Sequence, residues 1–245
     1  MVEADLILLG LSLFMVATLY SITGHGGASG YIAVMVLLGL SPQEIKPLAL
    51  GLNVVVASIA TILFYRAGHF KGETFWPFVA GSIPLAMLGG YLDLPIHWFN
   101  LAMGGVLLLS AFRLAIRDNG EEGLRRPALG VAVISGGCIG LVSGLIGIGG
   151  GVLLTPLLLI SGWANAKQAA AVSAPFILLN SISGLIGIGM HSSQSIPEHL
   201  VLASAFVLVG GVLGSFLGSR TLPMRMIPKV LSAVLVIAGL KLFYV

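Results

Sequence analysis

The chain has 245 residues, 57% of them hydrophobic and only 9% charged, and carries a formal net charge of +3. No soluble globular domain of this size has such a composition. The small positive balance speaks for basic loops beside a membrane rather than for a nucleic-acid partner.

Ten apolar segments are predicted, at 5–23, 29–40, 47–65, 75–92, 98–116, 128–146, 152–163, 169–190, 199–219 and 226–244. They are continuously apolar, which excludes the alternating pattern of a membrane β-barrel and leaves helices as the way to pair backbone groups in lipid. The first segment begins directly after Glu3 and Asp5, without a basic flank, so no cleaved signal peptide is expected. The second and seventh segments hold twelve residues each. At 1.5 Å per residue they reach about 18 Å, short of a hydrocarbon core about 30 Å thick. The single cysteine, Cys138, lies in an apolar run and implies no disulfide or redox motif.

Each short segment follows a glycine break: Gly24-His25-Gly26-Gly27 before the first, Gly147-Ile148-Gly149-Gly150-Gly151 before the second. A shift of 123 residues brings these breaks into register and also pairs Gly39 with Gly162, Ser58 with Ser181 and Ile59 with Ile182. The chain therefore reads as two membrane repeats, 1–118 and 128–245, joined by a cytoplasmic loop at 119–127 that contains Asn119-Gly120 and Pro127. With the N-terminus outside, ten Lys and Arg fall on inner connections, and only Lys46 and Lys241 on outer ones. That is a strong positive-inside bias, and it puts the C-terminus outside as well. Five segments per repeat is an odd number, so the second copy enters from the opposite side. The expectation is an all-α integral membrane protein of two inverted-topology repeats with eight to ten segments, the short helices being either re-entrant or crossing.

Paired breaks of this kind point to a substrate site. Glycine permits unusual backbone angles and close approach to the main chain. A helix that starts inside the membrane also presents unpaired amide N–H groups and the positive end of its dipole, which suits an anion. Tight helix packing is the competing explanation. The candidate binding residues are Thr23, Gly24, His25, Gly26, Gly27, Asn53, Gly147, Gly149, Gly150, Gly151, Ser173 and Asn180. Under the shift, Asn180 falls one helical turn from Asn53, so the two amides are expected on one face. His25 is the one titratable side chain placed deep in the membrane, a functional position by default. Interhelical or same-helix hydrogen bonding is the alternative for the Ser and Asn residues.

The nine acidic residues sit at segment ends or in loops. No carboxylate relay is expected to cross the membrane, which weakens a cation or metal transporter, and no P-loop, cofactor or metal is expected. Gly27-Ala28-Ser29-Gly30 matches the GxSG of rhomboid-type intramembrane proteases. Without a well-placed base the glycine break explains it better, and no enzyme is expected. Gly136-Gly140-Gly144 and Gly210-Gly214-Gly218 form small-residue ridges expected to pack helices within the chain, with a homodimer face as the alternative.

At the second break the run Gly147-Ile-Gly-Gly-Gly-Val-Leu-Leu-Thr-Pro156-Leu-Leu-Leu, followed by Gly162 and Ala169 to Ser173, resembles the sulfite exporter TauE/SafE family of membrane permeases. A weaker echo is Gly24-His-Gly-Gly with Gly39, where Ala33 stands in place of the family's proline. The resemblance covers both repeats. It implies a permease for sulfite, organosulfonates or small carboxylates. The resulting expectation is a secondary exporter of small sulfur-containing oxyanions in the inner membrane. The alternatives are a carboxylate transporter or a non-transporting membrane scaffold.

Overall fold

The computed structural model describes residues 3–22, 27–115, 124–191, 199–220, 232, 235–237 and 239–242. The helices are α1 (Glu3–Ile22), α2 (Ala28–Leu37), α3 (Pro42–Arg66), α4 (Gly72–Tyr91), α5 (Ile96–Ala115), α6 (Leu129–Ile146), α7 (Gly151–Ile160), α8 (Ala166–His191) and α9 (His199–Arg220), with further helical residues between 232 and 242. Among the described residues three helices are long and apolar enough to cross a membrane: Gln43–Arg66, Leu129–Ile146 and Lys167–Met190. α4 is not among them, because Pro77, Ser82, Pro84 and four glycines dilute the apolar content of its 20 residues. Exposed Ile134, Phe112 and Trp76 give the surface an apolar character that lipid can cover.

The two short helices are built alike. Each has ten residues and an N-cap glycine in the left-handed region, Gly27 at φ 83° and Gly150 at φ 82°. Each ends on another left-handed glycine, Gly39 at φ 80° and Gly162 at φ 65°. The closing hydrogen bonds also match: Leu40 N donates to Met35 O at 3.0 Å and Trp163 N to Leu158 O at 2.9 Å, the six-to-one bond of a Schellman cap. The helices that follow start on capping boxes. Ser41 Oγ donates to Glu44 at 2.7 Å ahead of α3, and Gln168 N donates to Asn165 Oδ1 at 2.9 Å at the start of α8.

Glycine ridges set the main helix contacts. A Cβ on Gly136, Gly140 or Gly144 of α6 would strike the carbonyl of Phe78, Ser82 or Ala86 of α4. The matching order of positions shows that α4 and α6 run parallel. Gly210 and Gly214 of α9 lie in the same way on the carbonyls of Phe14 and Thr18 of α1, again parallel. These ridges are therefore used inside the chain, and main chains approach closely there because no side chain intervenes. Arg125 N donates to Gly162 O at 2.9 Å, and Arg126 pairs with Glu73 at 2.7 Å. The end of α7 therefore lies beside the starts of α6 and α4, and α7 turns back towards the end where α6 began. Ten residues make α7 about 15 Å long, so its start lies well inside the bundle.

Two apolar cores flank these half-length helices. One surrounds α2 with Leu13, Ala17, Leu48, Leu52, Met103 and Val207. The other joins α4, α6, α7 and α8 through Phe78, Ala132, Leu154, Leu158, Val172 and Phe176.

Candidate functional site

Three left-handed residues carry the chain from α6 into α7: Gly147 at φ 89°, Gly149 at φ 76° and Gly150 at φ 82°. Any other residue would cost about 1–2 kcal/mol at each of these positions. Leu153 N and Leu154 N both bond to Gly150 O, at 3.1 and 3.0 Å. The amides before them precede any carbonyl one turn back within the helix, so they are the free donors of a helix start.

Polar side chains from three helices close on that start. Asn53 of α3 donates through Nδ2 to Ile148 O at 3.2 Å. A Cβ on Gly149 would lie 2.8 Å from Asn53 Nδ2, 2.8 Å from Ile177 and 2.9 Å from Ser181 Oγ, so only glycine allows this approach. Ser143 of α6 lies against Gly150. Ser173 Oγ and Thr155 Oγ1 share a hydrogen bond of 2.8 Å beside Gly151. Asn53, Ser143, Ser173, Asn180 and Ser181 are all fully buried. Among their polar atoms, Asn53 Oδ1, Ser143 Oγ, Asn180 Oδ1 and Ser181 Oγ have no protein partner. A buried polar atom left unpaired costs about 1–3 kcal/mol, so these four atoms are an energetic liability of the fold as it stands.

The structure thus brings Asn53, Gly149, Gly150, Gly151 and Ser173 together and adds Ser143, Thr155 and Ser181. The two amides expected on one face make different hydrogen bonds. Asn53 reaches across to the α6–α7 link, whereas Asn180 Nδ2 turns back to Phe176 O at 2.8 Å on its own helix. Gly147 stands apart from the cluster, packed on the main chain of Lys46. Lys46 itself is not a loop charge. It is 8% exposed, and its Nζ donates to the carbonyls of Gly89, Gly90 and Leu92 at 3.2, 3.1 and 3.1 Å, closing the C-terminal end of α4.

Thr23, Gly24, His25 and Gly26 lie outside the described residues. What is described of the first break differs from the second. A Cβ on Gly27 would sit 2.7 Å from Tyr31 Oη, so the phenol of α2's first turn covers its own N-cap. Tyr20 Oη and Ser29 Oγ share a hydrogen bond of 3.1 Å, and all three side chains are buried. Ser29, the serine of the GxSG match, is therefore committed to Tyr20. A signal for this difference was present in the sequence: the 123-residue shift sets Tyr20 against Ser143 and Tyr31 against Leu154. Among the described residues no group of His, Cys, Asp and Glu is placed to hold a metal ion.

The profile of the Sulfite exporter TauE/SafE family matches residues 9–242. A "Probable membrane transporter protein" of Sinorhizobium fredii is 37% identical over 99% of this chain and 100% of its own length. A protein of the same description from Bacillus subtilis is 26% identical over 98% of this chain and 96% of its own. In Magnetospirillum gryphiswaldense a 25% identical match covers 95% of this chain but 44% of the relative. No solved structure matches. With a helical bundle, two glycine-broken half-helices and a family match over nearly its whole length, this chain is a multi-pass membrane protein that belongs to the sulfite exporter TauE/SafE family of membrane transporters.

Proposed function

We propose that this protein is a secondary transporter of small oxyanions, sulfur-containing ones foremost, across the cytoplasmic membrane, and that the anion binds at the start of α7. The observation that carries this reading is the pair of fully buried, unpartnered hydroxyls of Ser143 and Ser181 around the left-handed glycines 149 and 150, at the free amides of a helix start. Amide donors and hydroxyls there offer hydrogen bonds to an oxyanion without a charged side chain. A helix start adds about 0.3–1 kcal/mol of favourable dipole interaction at exposed sites and up to ~2 kcal/mol where partly buried. The name of the family supports sulfite as the substrate class.

The same reading takes the repeats 1–118 and 128–245 as inverted copies. The matched caps of α2 and α7 support duplication, and the parallel pairs α4 with α6 and α9 with α1 suit such an arrangement. On α7, Pro156, Leu157 and Leu159 are partly exposed and Ile160 is 70% exposed, whereas Leu154 and Leu158 tie the helix into the core it shares with α4, α6 and α8. With the inside negative, an anion gains about 2.3 kcal/mol per charge per 100 mV on leaving, which makes export the simple direction. His25 is assigned as the titratable member of the path. A pH-dependent flux that stays unchanged in His25→Gln would remove that assignment.

Flux of radiolabelled sulfite from proteoliposomes tests the reading. Wild-type protein should release sulfite faster than empty vesicles, and Ser181→Ala and Asn53→Leu should slow it at unchanged protein insertion. Sulfite flux equal to that of empty vesicles, or unaltered by both substitutions, would count against it. Faster release of a small carboxylate such as lactate would move the substrate class.

A further inference from the structure

A second polar feature lies away from the α7 start. Where α2 ends, α5 begins and the chain nears its C-terminus, a cavity of about 140 Å³ opens between Gly39, Ile45, Phe99, Asn100, Met103 and Lys241, among others. Its walls are apolar except at two points. Lys241 donates through Nζ to Val36 O at 2.8 Å and to Leu37 O at 3.3 Å. An ammonium has three N–H donors, so one is left over. Asn100 is 6% exposed, and its Oδ1 has no protein partner. The rim is open at Gly39, where a Cβ would meet no atom within 4 Å. Among the described lining residues Lys241 is the charged one, so the cavity has a cationic end and an apolar wall.

We propose that this cavity binds an amphiphilic monoanion, its charged head on the Lys241 ammonium and the Asn100 amide, and its short carbon tail on Phe99, Met103 and Ile45. An inorganic dianion fits this lining poorly, because its hydration shell would be stripped against apolar side chains without replacement hydrogen bonds. A carbon tail loses water favourably there instead. One buried amide can both donate to an oxyanion and accept from a hydroxyl or water at the head group. The same chemistry is presented by a soluble short-chain organic anion and by the head and first carbons of an anionic lipid. The site does not depend on the transport reading, because none of its residues belongs to the α7 cluster.

The test uses the full-length protein and its melting temperature. One arm adds sodium butyrate in neutral detergent, against sodium sulfate at matched ionic strength. The other compares phosphatidylcholine nanodiscs with and without phosphatidylglycerol. A ligand that binds the folded state alone raises the melting temperature with its concentration. The expected result is a rise with butyrate or with phosphatidylglycerol that exceeds the sulfate effect. The midpoint for that rise should weaken at least about tenfold in Lys241→Gln, since a charge-assisted hydrogen bond is lost. It should weaken as much in Met103→Trp, which fills the cavity and keeps the cation. Lys241 also caps α2, so Asn100→Leu replaces it if Lys241→Gln fails to fold. A rise in the butyrate arm identifies a soluble ligand, and one in the nanodisc arm a lipid. No rise in either arm, a larger effect of sulfate, or a rise that survives either substitution overturns the proposal. Ser181→Ala should leave the butyrate midpoint unchanged, so failure of the central site and failure of this cavity read out separately.

Discussion

The two short helices share a sequence pattern, a length and a pair of glycine caps, yet they sit in opposite surroundings. Every residue of α2 from Ala28 to Val36 is buried, whereas in α7 only Gly151, Leu154, Thr155 and Leu158 are. The start of α2 is covered by the phenol of Tyr31, with Tyr20 and Ser29 tied together beside it. The start of α7 meets Asn53, Ser143 and Ser181, whose spare polar atoms have no partner. The same backbone device thus occurs twice and is furnished differently. One copy is wedged by aromatic rings into a core, and the other is left polar with one open side. A helix that is apolar all round and encased is a structural strut. A half-exposed helix with a polar start is free to carry a site.

The sharpest way to break this comparison is Gly149→Val. The left-handed φ of 76° and the three side-chain atoms within 2.8–2.9 Å of the new Cβ leave it no relaxed position. Sulfite flux is expected to fall by about five- to 150-fold with protein still inserted, since the strain and overpacking of about 1–3 kcal/mol fall on the site itself. The control is Gly39→Ala, at φ 80° with open space around it. It should cost about 1–2 kcal/mol of stability by its backbone angle and leave flux near wild type. Equal flux in the two variants would remove the distinction between break and cap.

The next effect is on stability. In Lys46→Met the carbonyls of Gly89, Gly90 and Leu92 lose their donor. A loss of about 1–3 kcal/mol is expected, visible as a lower melting temperature. An unchanged melting temperature would mean that those carbonyls find water instead. Asn53 and Asn180 then separate by the kind of bond each makes. Asn53→Leu strands Ile148 O and should destabilise by about 1–2 kcal/mol as well as slow flux. Asn180→Leu gives up a bond within its own helix, so about 0.5 kcal/mol or less is expected. The reverse order of the two melting temperatures would show that Asn180, not Asn53, holds the site together.

The smallest effect sharpens the comparison from the other side. Tyr31→Phe removes a buried hydroxyl that has no partner, so stability should change by less than about 1 kcal/mol, in either direction, with flux intact. A marked loss of flux would make the first break a working part of the site and remove the asymmetry.

Much of the architecture could be read from the residues. Continuous apolar runs, two glycine breaks and a 123-residue echo were enough for an all-helical membrane chain with two half-length helices, because hydrophobic length and backbone freedom are local properties. The glycine ridges on α6 and α9 were legible for the same reason, and so was the family. What each break faces was not. Packing sets Tyr20 beside Ser29 and Tyr31 over Gly27. Lys46 counted as a loop charge until the end of α4 came to rest on its ammonium. Ser181 gained importance over Asn180, its neighbour, because one residue along a helix rotates a side chain by about 100°, and only the packed bundle decides which of the two points at Gly149. Spacing along the chain determines where a helix can start and stop. Which polar groups are left without a partner depends on residues far away in sequence, and that is settled when the helices pack.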